Sequence, residues 1–187
     1  IENALPYNLK ASSEKDALNF PKPVHRLDNP TSGILVIAKT KFAQIKLHQQ
    51  FEKKIIQKEY HAIVIGKIPE SGVINTTIKN QTANTIFKRI KTIQALQNGS
   101  LSLVQLQPKT GRTHQLRIHL SGLGHPIVGD KLYATKSVMM HKGLFLCATK
   151  IQFTHPVIQE KMNFEIEIPN KFYTYLERES KRFLKYQ

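Results

Sequence analysis

Short apolar and β-branched segments, most of them closed by glycine, proline or a polar turn, recur along this sequence and favour a sheet-based fold. Residues 59–65 (E-Y-H-A-I-V-I) are rich in strand-forming side chains and end at Gly66, and the Asn98-Gly99 pair predicts a hairpin turn. No regular strand–helix–strand alternation connects these segments, so the sequence predicts an α+β fold on a largely antiparallel sheet. The other predicted strands are 34–38, 72–78, 86–96, 101–106, 144–153 and 162–168.

Three segments have helical spacing instead. Residues 40–54 begin with a threonine cap and carry an apolar side chain at every fourth position. Residues 113–123 place three leucines at helical spacing, although a short strand over 113–119 is an alternative. Residues 172–186 predict an amphipathic terminal helix. The apolar residues expected to pack from that last helix are Leu176, Phe183 and Leu184.

The length of 187 residues, with 40% hydrophobic and 22% charged residues, predicts one folded domain. Residues 1–23 contain three prolines and are expected to form a loosely structured lead-in, which leaves 24–187 as the domain itself. No apolar run approaches the ~20 residues that cross a bilayer, and no signal-peptide pattern opens the chain. The single cysteine, Cys147, cannot form an internal disulfide, so we expect a reducing, cytoplasmic location.

Positive charge is the strongest functional signal in the composition. Lys and Arg number 28 against 13 Asp and Glu, a net charge of +15, and residues 71–159 hold one acid, Asp130, against eleven Lys or Arg. Neutralising phosphates releases condensed counterions, so this excess favours a nucleic acid as the partner. A solvated basic surface kept for solubility is the alternative. An anionic membrane is a lesser one, because no strongly amphipathic basic helix stands out.

Residues 25–33 (H-R-L-D-N-P-T-S-G) carry a lone carboxylate among basic side chains. The Asn29-Pro30 pair forces a turn directly after Asp28, and Gly33 opens a predicted buried strand. Asp28 and Arg26 therefore lie on a loop mounted on a core element, where catalytic groups are often found. An ionised carboxylate there can act as a nucleophile or a base. An aspartate that caps a turn, or pairs with Arg26 at the surface, is an equally good interpretation.

Residues 108–130 form a second segment with chemical potential. If 113–123 is a helix, His114, Arg117 and Ser121 share one face, away from the leucines. The helix start after Gly111 offers free backbone N–H groups that suit an anion. A solvated basic helix face is the alternative interpretation.

The same segment does not predict a metal or nucleotide-cofactor site. A spacing of five residues separates His114 from His119 around a helix, no cysteine lies near them, and Asp130 is the only nearby acid. Zinc sites need ligands that converge on a tetrahedron, so no metal is expected. The sequence also lacks the glycine-rich phosphate-binding motifs of nucleotide cofactor sites.

Three segments taken together resemble the diagnostic blocks of the RluA family of RNA pseudouridine synthases. They are H-R-L-D-N-P-T-S-G-I-L-V-I-A-K (25–39), K-E-Y-H-A-I-V-I-G (58–66) and T-G-R-T-H-Q-L-R-I-H-L-S-G-L-G-H-P-I-V-G-D-K-L-Y (110–133), and L-F-L-C-A-T-K-I-Q-F-T-H-P (144–156) resembles the family's closing strand. The resemblance implies the pseudouridine synthase fold, a mixed, largely antiparallel sheet with flanking helices and a central active-site cleft. The lead-in lacks the family's usual opening strands and its K-P-x-G segment.

The resemblance also implies site residues for a cofactor-free isomerase, which detaches uracil from ribose, turns it and rejoins it through carbon. Asp28 is implied as the catalytic carboxylate, acting on the sugar by attack or by deprotonation. Tyr60 is implied to stack on the uracil and move a proton, and Arg117 to hold Asp28 in an ion pair. Arg26 resembles the arginine that fills the space left by the flipped base. Further predicted RNA contacts are Lys109, Arg112 and His114.

The implied partner is ribosomal or transfer RNA, bound by a monomer without metal or membrane. One alternative is a catalytically inactive homologue that binds or folds RNA, suggested by the atypical lead-in. The presence of all three groups, Asp28, Tyr60 and Arg117, argues against it. A second alternative is a glycosidic-bond hydrolase, which usually needs another carboxylate to activate water. Only Asp130 is available for that role, and its surroundings predict a turn.

Overall fold

The computed structural model describes residues 4–134 and 143–186. The elements in chain order are α1 (Leu5–Asn8), β1 (Ala17–Pro23), β2 (Ser32–Gly33), β3 (Ile37–Thr40), α2 (Lys41–Glu52), β4 (Gln57–Ile65), β5 (Ser71–Ile78), β6 (Gln81–Ala95), β7 (Gly99–Pro108), α3 (Gln115–Gly122), β8 (Leu146–Thr154), β9 (Lys161–Glu165) and α4 (Asn170–Tyr186). Within these ranges, none of the helices combines the length and hydropathy that a bilayer crossing requires.

Seven strands form one large sheet in the order β2-β8-β4-β7-β6-β5, with β9 paired to β8. Every pairing is antiparallel except that of β2 with β8. The Asn98-Gly99 hairpin is confirmed, because β6 and β7 pair down to Ala95 opposite Gly99. The predicted α+β class and the largely antiparallel sheet are therefore confirmed.

Two helices pack into the main hydrophobic core of this sheet. The helix predicted at 113–123 is present as α3, and it buries Leu116 and Leu120. The terminal helix α4 buries Phe172 and Leu176 in the same core. Only part of the predicted face of α4 is right, because Leu184 is 74% exposed. The first half of the helix carries the packing, since its buried side chains are those of residues 172, 175, 176 and 179.

Of the segment predicted as one buried strand, 34–38, only residues 37 and 38 lie in a strand, β3, and residues 34–36 connect that strand to β2. β2 ends at Gly33 beside Ala148 of the large sheet, whereas β3 pairs with β1 in a separate two-stranded sheet. The prediction of a single strand is therefore wrong. Gly33 makes the approach to β8 possible, because it has φ +120° and a Cβ there would lie 2.2 Å from the carbonyl oxygen of Ala148.

The lead-in is more ordered than its prolines predict, because residues 17–23 form β1. In a two-stranded sheet both strands are edges, so a proline in β1 can leave its missing N–H on the unpaired side. Leu18 packs against the small core formed by Val24, Ala38 and Leu47. The expectation of a loose lead-in is corrected by these contacts.

Helix α2 begins as its sequence predicts. The Thr40 hydroxyl accepts a hydrogen bond from the backbone N–H of Ala43 at 3.2 Å. Leu47 is its buried contact with the small core, and the helix ends at Glu52. The small sheet and α2 thus form a unit beside the large sheet, connected to it by residues 34–36, by hydrogen bonds between Gln50 and Thr154, and by the packing of Phe153 on the small core.

Candidate active site

A cleft of about 330 Å³ brings together three segments that are distant in sequence. The loop after β1 contributes Arg26 and Asp28, strand β4 contributes Lys58 and Tyr60, and the loop before α3 contributes Arg112. The first, second and third sequence blocks singled out above therefore meet at one concave surface. A cleft of this size accommodates a single nucleotide rather than a helix.

Asp28 is held by its backbone and leaves its carboxylate accessible. Its carbonyl oxygen accepts a hydrogen bond from the N–H of Thr31 at 2.7 Å, which closes the predicted turn. The side chain is 19% exposed and lines the cleft. The imidazole of His114 lies beside it, with Nε2 3.9 Å from Oδ1. The carboxylate is thus within reach of a bound molecule.

Tyr60 presents its ring from the middle of the large sheet. Strand β4 pairs on both sides, so that Tyr60 lies opposite Leu106 of β7 and Ala148 of β8. Burial, and secondarily the negative charge of Asp28, raises the pKa of the Tyr60 phenol to about 12. The phenol is therefore neutral at physiological pH.

The loop that carries Arg112 is fixed by the buried side chain of Gln115. Its Oε1 accepts hydrogen bonds from the Thr110 hydroxyl at 2.6 Å and from the Arg112 backbone N–H at 3.0 Å. Its Nε2 donates to the carbonyl of Asn84 at 2.9 Å and to the hydroxyl of Thr85 at 3.0 Å. One amide thus ties this wall of the cleft to strand β6.

We expect Gln115→Leu to lower the free energy of unfolding by about 3 kcal/mol, because a side chain of similar volume would leave several buried polar groups without their partner. Urea denaturation measures this change. Gln107→Leu is the matched control, because Gln107 donates a single longer hydrogen bond, at 3.3 Å, to Glu59. Equal losses in the two variants would contradict the special role of Gln115.

Arg117 does not form the predicted ion pair with Asp28. Its guanidinium donates two hydrogen bonds to Asp130, from Nε at 2.8 Å and from an Nη at 2.7 Å, and both side chains are buried. Burial alone would raise the pKa of Asp130, but Arg117 and the backbone N–H groups of Leu132 and Tyr133 outweigh it and lower that pKa. Asp130 is in a turn, as its sequence predicts, and it is the carboxylate partner of Arg117.

Tyr133 connects this buried pair to the Asp28 side of the cleft, a role that the sequence pattern alone does not predict. The three side chains predicted to share one helix face, those of His114, Arg117 and Ser121, all contact Tyr133. His114 Nδ1 is 2.9 Å from the Tyr133 hydroxyl, Ser121 donates to the Tyr133 carbonyl at 2.5 Å, and the Arg117 guanidinium lies 5.1 Å from the ring centroid. A chain of contacts thus runs from Asp130 through Arg117, Tyr133 and His114 to Asp28.

The predicted RNA contacts are distributed over two neighbouring surfaces. Arg26 is exposed and lines the cleft, as does Arg112, whose Nε donates to the carbonyl of Thr82 at 3.2 Å. Lys109 lines a second cavity next to the cleft. His114 lies between Asp28 and Tyr133, so its nitrogens face protein groups on both sides.

His25, at the rim of the cleft, is a neutral structural group. Its Nε2 accepts a hydrogen bond from the backbone N–H of Val36 at 3.0 Å, and its ring packs on Phe51. Burial, followed by the positive charge of Lys58, lowers the pKa of His25 to about 4. The imidazole therefore helps to fix the loop that leads to Asp28.

This lowered pKa predicts acid sensitivity. Between pH 6.5 and about 4 the unfolded chain binds a proton at His25 that the folded chain excludes, so stability falls as pH is lowered through this range. We expect the free energy of unfolding of His25→Gln to decline less steeply over that range than that of the wild type. Denaturation at several pH values measures the slopes. The exposed His48→Gln is the control, and an unchanged slope in His25→Gln would refute the assignment.

Lys58 is the cleft residue that sequence reasoning missed. It stands two positions before Tyr60 in β4, and both side chains line the cleft. The alternation of side chains along a strand is the signal that could have identified it. Lys58 and Asp28 are far apart in sequence, so the sequence alone does not predict that their segments line the same cleft.

No three His, Cys, Asp or Glu side chains come together as a metal site within residues 4–134 and 143–186. The histidines of the third block have separate partners. His119 Nδ1 contacts the Thr85 hydroxyl at 2.9 Å, and His125 Nδ1 contacts the carbonyl of Ile65 at 2.8 Å. The arrangement can supply a carboxylate, a neutral phenol and several cations to a bound molecule.

Comparison with known proteins gives a consistent family. The family model described as RNA pseudouridylate synthase matches residues 3–122. The chain is 37% identical over 172 residues to the dual-specificity RNA pseudouridine synthase RluA of Haemophilus influenzae, covering 84% of this chain and 78% of that protein. It is 35% identical over 181 residues to the uncharacterized RNA pseudouridine synthase YhcT of Bacillus subtilis, covering 90% and 59%. Against ribosomal large subunit pseudouridine synthase C of Rickettsia felis, identity is 36% over 184 residues, covering 88% and 60%.

The chain thus spans about 60% of the length of the last two relatives. Among solved structures, it is similar to human RNA pseudouridylate synthase domain containing 4, with a TM-score of 0.68 at 25% identity, covering 85% of this chain and 76% of that one. Human RNA pseudouridylate synthase domain containing 1 has the same TM-score at 24% identity, covering 84% and 80%. The fold predicted from the resemblance is confirmed.

Proposed function

Because the chain belongs to the RluA family of RNA pseudouridine synthases, we propose that it is an isomerase that converts uridine in RNA to pseudouridine. The observation that carries the proposal is the meeting of Asp28 and Tyr60 in one cleft of nucleotide size. A carboxylate that can act on the sugar and an aromatic ring that can receive the base are the two groups that the reaction needs first.

Asp28 is the proposed catalytic carboxylate. Its accessible side chain supports contact with the ribose, where attack or deprotonation would loosen the bond to uracil. Tyr60 would stack on the detached base, and its neutral phenol would relay the proton that leaves carbon 5 of the uracil, its oxygen accepting that proton as its own hydroxyl proton passes to solvent. In this proposal the side chains orient the ribose and the uracil and transfer a proton. The proposed reaction neither oxidises nor hydrolyses the substrate.

Base flipping is part of the proposal, because a stacked uridine cannot enter a cleft of about 330 Å³. Arg26 is exposed at the cleft and carries a delocalised cation, which suits insertion into the space that the base leaves. Unstacking costs a few kcal/mol, and phosphate contacts made by a chain of net charge +15 would offset it. Arg112 at the cleft and Lys109 beside it are proposed for such contacts.

Arg117 is proposed as a positioning residue rather than a group that touches the substrate. Its bonds with Asp130 fix the turn that carries Tyr133, and Tyr133 contacts His114 beside Asp28. Its influence on the carboxylate would therefore pass through the imidazole of His114. Because His114 lies between Asp28 and Tyr133, its proposed contact with RNA would be made at the edge of the cleft.

The proposed substrate is structured ribosomal or transfer RNA. One relative is named as a synthase for the large ribosomal subunit and another as a dual-specificity enzyme, and the +15 charge of this chain supports a polyanionic substrate. Mapping the pseudouridines lost from a strain that lacks the protein would identify the RNA and the position.

The activity is tested by release of tritium from carbon 5 of labelled uridine in ribosomal and transfer RNA transcripts. The proposal expects tritium release from at least one RNA, with no free uracil. Release of free uracil would indicate a glycosidic-bond hydrolase. Tight binding of all the transcripts without tritium release would indicate the inactive RNA-binding homologue and would overturn the proposal.

A further inference from the structure

The active-site cleft adjoins a second cavity of about 490 Å³. Two residues, Lys58 and Pro108, line both spaces. The second cavity is lined in addition by three lysines, at positions 54, 109 and 150. Among the residues that the structure describes, Glu59 supplies the one carboxylate that lines it. A cavity lined by lysines therefore lies next to the cleft in which Asp28 and Tyr60 meet.

Lys58 has no anionic partner of its own in the part of the chain that the structure describes. The ion pairs within 4.0 Å there involve other side chains: Lys150, for example, is neutralised by Glu165 at 2.8 Å. The neighbouring Glu59 accepts a hydrogen bond from Gln107. Burial lowers the pKa of Lys58, and no opposing charge compensates for it. An ammonium group that is partly removed from water without a counter-charge favours the arrival of an anion.

The position of Lys58 relative to Tyr60 fits one nucleotide. Residues two apart on a strand have Cα atoms about 6.6 Å apart and point to the same side. Lys58 and Tyr60 both face the cleft, and Lys58 also faces the second cavity. A uracil on the Tyr60 ring would therefore have the phosphate of the same nucleotide near the ammonium. The ammonium lies close to the loop before α3 as well, 3.6 Å from the place that a Cβ on Gly111 would occupy.

We propose that Lys58 is a positioning residue that binds a phosphate flanking the everted uridine, at the point where the RNA strand passes from the active-site cleft into the lysine-lined cavity. The proposal deepens the proposed function and rests on it. Lys54 and Lys109 lie along the second cavity, where the next phosphates of the strand would pass. A lysine that only packs its aliphatic stem against the cleft wall is the competing explanation.

The experiment uses a stem–loop RNA with one uridine in its loop, and two copies in which a neutral methylphosphonate replaces the phosphate on the 5′ or the 3′ side of that uridine. Equilibrium binding of each RNA is measured for the wild type, Lys58→Gln and Lys58→Arg. On the unmodified RNA, Lys58→Gln is expected to bind about tenfold to a hundredfold more weakly, the range of a charge-assisted hydrogen bond. On one of the methylphosphonate RNAs, wild type and Lys58→Gln should bind equally. Lys58→Arg should restore most of the affinity.

Lys67→Gln is the matched control, because Lys67 is exposed just beyond the opposite end of β4 and its loss changes the net charge equally. The proposal is overturned if Lys58→Gln weakens binding to all three RNAs alike, if it weakens binding no more than Lys67→Gln, or if it has no effect. Thermal unfolding of each variant identifies a folding defect. Tritium release is measured in a separate assay. If the wild type releases no tritium but Lys58→Gln still loses RNA affinity in the phosphate-dependent way described, the phosphate site is retained and the proposed function is rejected.

Discussion

Asp28→Asn is expected to abolish pseudouridine formation, with a loss of at least about 10⁴-fold in rate, while the affinity for RNA stays within about twofold. The amide has the shape of the carboxylate but is neither a usable nucleophile nor a base. The fold should be unaffected, because the turn at this position is closed by the backbone carbonyl of Asp28 rather than by its side chain. Removing a negative charge from a cleft lined by Arg26 and Lys58 should not weaken phosphate binding.

Tritium release and filter binding on the same RNA preparation separate these two effects. Asp16→Asn is the control, because Asp16 is an exposed aspartate whose side chain accepts a hydrogen bond from the N–H of Phe42, away from the cleft. That variant should retain activity. Turnover by Asp28→Asn at close to the wild-type rate would exclude the proposed chemistry, whatever its affinity for RNA.

Asp130→Ala is expected to lower the free energy of unfolding by about 3–5 kcal/mol. The substitution leaves the buried guanidinium of Arg117 without its carboxylate and removes the acceptor used by the backbone N–H groups of Leu132 and Tyr133. Arg117→Ala should be destabilising for the same reason. From the sequence alone, Arg117→Ala is expected to lose activity and to retain its fold. Because Arg117 belongs to a buried ion pair, we expect this variant to lose stability as well.

Denaturation by urea measures these losses. The double variant Arg117→Met/Asp130→Leu supplies the discriminating comparison, because replacing both charges with apolar groups removes the unpaired charge and should recover much of the stability. It should nevertheless have reduced activity if Arg117 positions Tyr133 and His114 beside Asp28. Full activity in a stable double variant would show that the pair has no part in positioning.

The turn that carries Asp28 and the strand that carries Tyr60 could be predicted from compact sequence blocks, whereas the roles of these residues came only from the family resemblance. Asp28 sits in a turn that asparagine and proline dictate, and Tyr60 sits in a strand with strong β propensity. The loop before α3 is likewise fixed by short-range bonds from Gln115 to Thr110 and Arg112. Such local rules act over a few residues, so a single sequence is enough to apply them.

The partner of Arg117 could not be predicted in this way. Asp28 and Asp130 were both available, and the choice depends on how the turn after α3 packs against its helix. Lys58 was missed for a similar reason, because its importance arises from two cavities that tertiary packing creates. The prolines of β1 were misleading, since an edge strand in a small sheet tolerates them.

The loop that carries Asp28 is attached to two sheets of very different size. Before it, Val24 belongs to a small core with Ala38 and Leu47, and after it Gly33 is fixed against the large sheet. Regions with little buried apolar surface open at a lower free energy than the rest of a protein. Mild heat or denaturant should therefore detach one wall of the cleft while the large sheet remains folded, and catalysis would be lost before global unfolding begins.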